Sequence, residues 1–196
     1  MTRLRTIGIL AVFAAVPAAV GAQDAAPRPA KNAVEEFVSR KGVLLVKRMY
    51  GIKTFTWDLG RDDKVTLAVS AMHAYEAEDR TRGVFALRFE GQPLLGVSTT
   101  ALLDLSSAKA LRSALGAMIE RAREAAAATP EFLEVRFALG DSFECGFNQQ
   151  GTVQRPFVVL GSDLSRTLRS SRMADLEDLK SAVESEIEKL KELGAK

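Results

Sequence analysis

One cysteine and one histidine in 196 residues leave little material for the commonest catalytic and metal-binding chemistries. Cys145 alone cannot close a disulfide within the chain, so the fold must rest on burial and not on cross-links. With His73 as the sole imidazole and no C-x-x-C pair, zinc or copper finds no ligand set, and neither metal nor cofactor is expected. No G-x-S-x-G nucleophile elbow occurs. The glycines of "EGQPLLG" and "GFNQQG" sit at hairpins and do not precede a helix as a phosphate loop would. A strong excess of one charge is also missing: 27 Lys and Arg face 25 Asp and Glu.

What is present begins at the N-terminus. Arg3 and Arg5 precede an uncharged run, "TIGILAVFAAVPAAV", and then small residues, which is the pattern of a secretory signal peptide. Val20 and Ala22 suit the positions before the cut, so residues 1–22 are expected to be removed. The apolar run is shorter than the roughly 20 residues that span a bilayer. The mature chain is therefore expected outside the cytoplasm, periplasmic or extracellular, without stable membrane insertion. Cleavage takes away two arginines and no acid, which lowers the basic count from 27 to 25 and leaves a formally neutral protein. A neutral chain has no basic stripe with which to displace phosphate counterions, so nucleic acid is not an expected partner.

Residues 23–32, "QDAAPRPAKN", read as a flexible leader. Residues 33–196 read as a single α+β domain. "AVEEFVSRKG" predicts a short helix stopped at Gly42. Then strand signals dominate: "VLLVKRMYGIKTFTW" is rich in β-branched and aromatic residues, "GRDD" turns, and "KVTLAVSAMHAY" alternates cleanly. In that last stretch Val65, Leu67, Val69, Ala71, His73 and Tyr75 share one face. "VFALRFEG" and "TTALLDL" complete the group, and Ser106 and Ser107 are read as the cap of a helix with Leu111, Leu115, Met118 and Ile119 on its apolar stripe.

The second half repeats that order. "FLEVRFAL", "SFECGFN" and "QRPFVVLGS" predict three strands, followed by a Ser/Arg-rich connection. Ser171 is read as the cap of a final helix carrying Leu176, Leu179, Val183, Ile187 and Leu190, with Glu184 near Lys189 on its exposed side. The expectation is two similar halves, residues 33–128 and 130–196, each a curved antiparallel sheet followed by an amphipathic helix packed on it. "LDLSSAKALRSALGAMIERA" and "LRSSRMADLEDLKSAVESEI" align loosely as an internal repeat.

Through "GVLLVKRMYGI", "GVFALRFEG", "LLDLSSAKALRSAL" and "FALGDSFECGFNQQGTVQRPFVVLG" the chain resembles an uncharacterised family of exported bacterial proteins. The resemblance implies export and carries no catalytic residues with it. In element order alone, four strands and a helix used twice, the chain is also similar to the Whirly and PUR-type nucleic-acid-binding folds, an analogy that transfers no function.

Cys145 lies between Phe143 and Phe147 on the same strand parity, the place of a small buried packing residue. A Cys145–His73 dyad would be the enzymatic alternative, because a catalytic thiol needs a base or a positive field beside it. Tyr50, Trp57 and Tyr75 are the candidates for contacts to a ligand, with Trp57 as an exposed anchor. The expected function is non-catalytic: binding a protein or small molecule, or scaffolding, in the cell envelope. A single-stranded nucleic-acid binder is the alternative offered by fold analogy.

Overall fold

The alternating segments pair with their neighbours in chain order. The computed structural model describes residues 32–58, 64–93, 98–161 and 167–195; the expected signal peptide, most of the leader and the "GRDD" turn lie outside them. Helix α1 (Ala33–Val38) comes first, then β1 (Leu45–Asp58), β2 (Lys64–Glu76), β3 (Gly83–Pro93), β4 (Thr99–Leu103) and helix α2 (Leu105–Ala128). The second half runs β5 (Leu133–Leu139), β6 (Phe143–Gln150), β7 (Val153–Leu160), β8 (Thr167–Arg169) and helix α3 (Ala174–Glu192).

All eight strands join one antiparallel array in the order β4-β3-β2-β1-β8-β7-β6-β5. It is two four-strand sheets set side by side, and β1 meets β8 only at Asp58↔Arg169. The chain is thus α+β with two similar halves. What closes the halves together is the placement of the helices. α2 follows β4 but packs on β5 and β6 as well as on β3 and β4, while α3 follows β8 and packs on β1, β2 and β3. Each helix therefore bridges into the other half, and one core results: Phe89 meets Phe143 across it with ring centroids 4.6 Å apart.

The face towards α2 and α3, called the inner face below, carries the residues that alternation predicts. Val65, Leu67, Val69 and Ala71 are buried there, with Leu87, Phe89, Phe143, Cys145 and Phe147. On the outer face of the first half, α1 covers Met72, Ala74, Ala86 and Leu102 with Val34. A capping box holds α1: the Glu35 amide donates to Asn32 Oδ1 at 2.8 Å, and the Glu35 carboxylate accepts from the Asn32 amide at 3.3 Å. Asn32 Nδ2 then donates to the Leu102 carbonyl at 2.7 Å and ties the helix to β4.

Several local expectations are corrected. Ser106 and Ser107 lie inside the first turn of α2, and the cap is Asp104, whose carboxylate accepts from the Ser107 amide at 2.7 Å. Burial pushes the Asp104 carboxyl up, but hydrogen bonds from Ser107 and Ser106 outweigh it and hold the group below its ordinary value. Ser171 does not cap α3. Its neighbour Ser170 instead donates to Asp175, which also pairs with Arg172 at the helix start. The Ser/Arg-rich connection contains a strand, β8, too short to show alternation. On α3 the ion pairs are Lys180–Glu184, Lys189–Glu192 and Lys191–Glu188, not Glu184 with Lys189. A spacing of five turns two side chains away from each other, whereas three or four brings them together.

Candidate functional site

Cys145 and His73 are not brought together. Cys145 sits in β6 with Phe137 and Val158 as its cross-strand neighbours, and it is fully buried. Burial pushes its thiol far above the ordinary value, and the charge of Glu144 adds to the effect. His73 lies in the other half, beside Arg48 of β1 and Phe85 of β3 in the ladder. Its ring stacks on Phe85 at 4.3 Å and approaches Tyr75 at 4.9 Å. Burial and then the charge of Arg48 lower its pKa, so the ring stays neutral at pH 7.

The aromatic candidates also lie elsewhere than expected. Trp57 is 1% exposed, so it is a core residue and not a solvent-facing anchor; its buried indole N–H has no hydrogen-bond partner. Tyr75 is buried beneath the Arg48 and Arg80 guanidinium groups, 5.9 and 5.8 Å from its ring centre. Tyr50 is half-buried against the core. α2 and α3 cover the inner face that was expected to offer these rings.

One opening among the described residues lies on the outer face of the second half. α1 covers the first half's outer face; among the described residues no helix covers the second. There a cleft of about 350 Å³ is lined by Phe132, Asn148, Gln150, Val153, Arg155 and Arg169, with Phe157 and Gln149 at its base. That volume falls within the range of small-molecule sites. Register explains the grouping. Asn148 of β6 stands opposite Arg155 of β7, and one row further Gly146, Phe157 and Arg169 line up across β6, β7 and β8. Gly146 lets β5 and the Phe157 ring approach: a Cβ at that position would run into the Val135 carbonyl oxygen and stand 2.9 Å from Phe157 Cζ. Phe132, just before β5, is 64% exposed, and Val153 is 51% exposed.

The polar groups of this cleft are incompletely satisfied. Arg155 and Arg169 are both exposed, and neither makes an ion pair among the described residues. The buried Oδ1 of Asn148 has no hydrogen-bond partner. By contrast, Arg136 on the same face lies 3.8–3.9 Å from Glu144 and Glu134. The hollow between α2 and α3 is likewise closed by its own charges, Arg123 bridging Glu120 and Glu177. Two guanidinium groups with no ion pair among the described residues, an orphan acceptor and an apolar rim can hold an anion that also offers a donor and some apolar surface.

Beneath the cleft the β6–β7 hairpin is fixed rigidly. Gln149 Nε2 donates to the carbonyls of Ala125 and Gly151 at 2.9 and 2.7 Å. Gln154 Nε2 donates to the Ala122 carbonyl and to Gln149 Oε1, both at 2.7 Å. These side-chain amides give second donors to carbonyls in the last two turns of α2, so the two glutamines tie the end of the helix to the sheet.

Sequence reading passed over every residue of this cleft. A usable signal existed: alternation places Asn148, Gln150 and Arg155 on the face opposite Cys145 and Phe147, and no acid stands across from Arg155. Among the described residues no three His, Cys, Asp or Glu side chains cluster as metal ligands, and no helix is long and apolar enough to cross a membrane. Compared with protein-family models and with curated proteins, the chain matches none.

Proposed function

We propose that this protein is an exported, non-catalytic binding protein of the cell envelope, and that its binding site is the outer-face cleft of β6, β7 and β8. The ligand is a small organic anion, carboxylate or phosphate, that carries a hydrogen-bond donor and an apolar or ring portion. One observation carries this reading: Arg155 and Arg169 flank a cleft holding a buried, unpartnered Asn148 Oδ1, while the neighbouring Arg136 has acids beside it. Charge-assisted hydrogen bonds from the arginines supply the affinity, and Phe132 offers a face for the apolar part. Against an enzyme stands the burial of Cys145, with Phe137 and Val158 beside it where a base is needed.

The test is an NMR titration of the full mature chain with phenyl phosphate, using benzyl alcohol as the neutral control. Shifts are expected at Asn148, Gly151, Arg155 and Arg169 with phenyl phosphate alone. Arg155→Ala and Arg169→Ala should each weaken binding about tenfold, since a hydrogen bond to a charged group is worth roughly 1.5–3 kcal/mol. Equal binding by the alanine variants, or shifts scattered over the surface, would remove the reading.

A further inference from the structure

β1 has fourteen residues, but only one of its edges is used along its length. From Leu45 to Asp58 it pairs with β2, whereas β8 touches it at Asp58 alone. Along Leu45–Trp57 the second edge has no paired strand among the described residues. An open row of amides and carbonyls is a template for another strand. Lys47, Arg48, Met49, Ile52 and Lys53 are all exposed along it, with Ile52 at 62%.

The charge on that edge decides what fits. None of Lys47, Arg48 and Lys53 stands within ion-pair distance of an acid among the described residues, although Lys53 acts on the Glu186 carboxylate from further off and Arg48 lies over the Tyr75 ring. Register puts Lys47 and Met49 on the outer side of the ladder, opposite Ala74 and Met72. Arg48 and Lys53 lie on the inner side, opposite His73 and Val69. An added strand would therefore meet positive charge on both of its faces. A second copy of β1 would set these cations against each other, and like charges across a ladder are destabilising. The bulge at Gly51 and Ile52 further breaks a long self-pairing into shorter runs. Lysines and bulges of this kind protect an edge against its own copy, yet they leave it open to a strand of opposite charge.

We propose that the free edge of β1 captures an extended acidic segment of a partner protein, in which acids alternate with β-branched apolar residues, by adding it as a strand beside Val46–Phe55. Main-chain hydrogen bonds to β1 hold the segment, its acids all lie on one face and meet Arg48 and Lys53 on the inner side, and its apolar residues lie on the other face along Met49 and Ile52. This surface is separate from the cleft of β6–β8 and does not depend on that cleft binding anything.

The probe is a capped octapeptide alternating Glu and Val, titrated against the full mature chain and followed by backbone amide shifts and hydrogen exchange. New protection is expected within Val46–Phe55, and none from a Lys/Val octapeptide or from a backbone N-methylated Glu/Val peptide. In the triple variant Lys47→Glu, Arg48→Glu, Lys53→Glu, affinity for the Glu/Val peptide should fall at least about tenfold and the Lys/Val peptide should now bind, because interfacial charge sets partner choice. That gain separates lost charge from lost folding. Absence of binding by the Glu/Val peptide, undiminished binding to the reversed variant, or protection confined to the edge strands β4 and β5 would each overturn the proposal.

Discussion

The Glu186 carboxylate of α3 fills the space where a side chain at position 51 would begin, so any side chain there has to push the carboxylate aside. Gly51 has a φ of +61°, and β1 slips register against β2 between Tyr50 and Lys53. Glu186 is 1% exposed and accepts a hydrogen bond from the Ala71 amide at 3.2 Å. A bulge disrupts the ladder locally, and this carboxylate provides an acceptor beside it.

Gly51→Ala is accordingly expected to cost about 2–4 kcal/mol, from left-handed backbone strain plus displacement of the carboxylate from a buried amide. Urea unfolding measures it. In a Glu186→Ala background the same change should cost only the strain, about 1–2 kcal/mol. Equal costs in both backgrounds would show that the two residues are uncoupled.

Glu186 also predicts a pH dependence. Burial raises its pKa, against the opposing pull of the Ala71 amide, Lys53 and Lys189. A carboxyl with a raised folded value favours the folded state when protonated. Its contribution is full below the ordinary glutamate value and is lost as pH climbs through the folded value. Glu186→Gln, which keeps an acceptor for Ala71, should raise Tm at pH 7, and the difference should close towards pH 4. A gap that widens on acidification would refute this.

Gln149→Ala should destabilise by about 2–3 kcal/mol, since it removes the buried donor to the Ala125 and Gly151 carbonyls and the acceptor of Gln154. Gln154→Ala, at a half-buried position, should cost about 1 kcal/mol. If chemical denaturation finds the two costs equal, Gln149 is not the centre of the clamp.

Cys145 is expected to resist a thiol reagent at pH 8 until the chain unfolds, because burial keeps the thiol protonated and unreachable. Complete labelling in guanidinium chloride provides the control. Rapid native labelling would revive the enzymatic alternative.

Much of the fold was legible in the chain. Alternation in "KVTLAVSAMHAY" and "SFECGFN" fixed which residues turn inward, because a strand has only two faces and apolar side chains leave water. The apolar stripes of α2 and α3 were equally plain. β8 was not, since three residues cannot display a period, and the cap at Asp104 was hidden by its place at the end of a strand pattern. Trp57 was misjudged because strand alternation says that a ring takes a side, not whether anything covers it.

The sequence by itself determined the order of strands and helices apart from β8, the inward-facing residues, and that Cys145 belongs among phenylalanines, since all of these follow from local periodicity and the cost of wetting apolar surface. Only the tertiary structure decided that α2 and α3 cross into each other's half, that Glu186 meets Gly51, and that Arg155, Arg169 and Asn148 share a cleft while β1 keeps an open edge. Those relationships join residues far apart in the chain, and no local pattern encodes which distant surface will be covered.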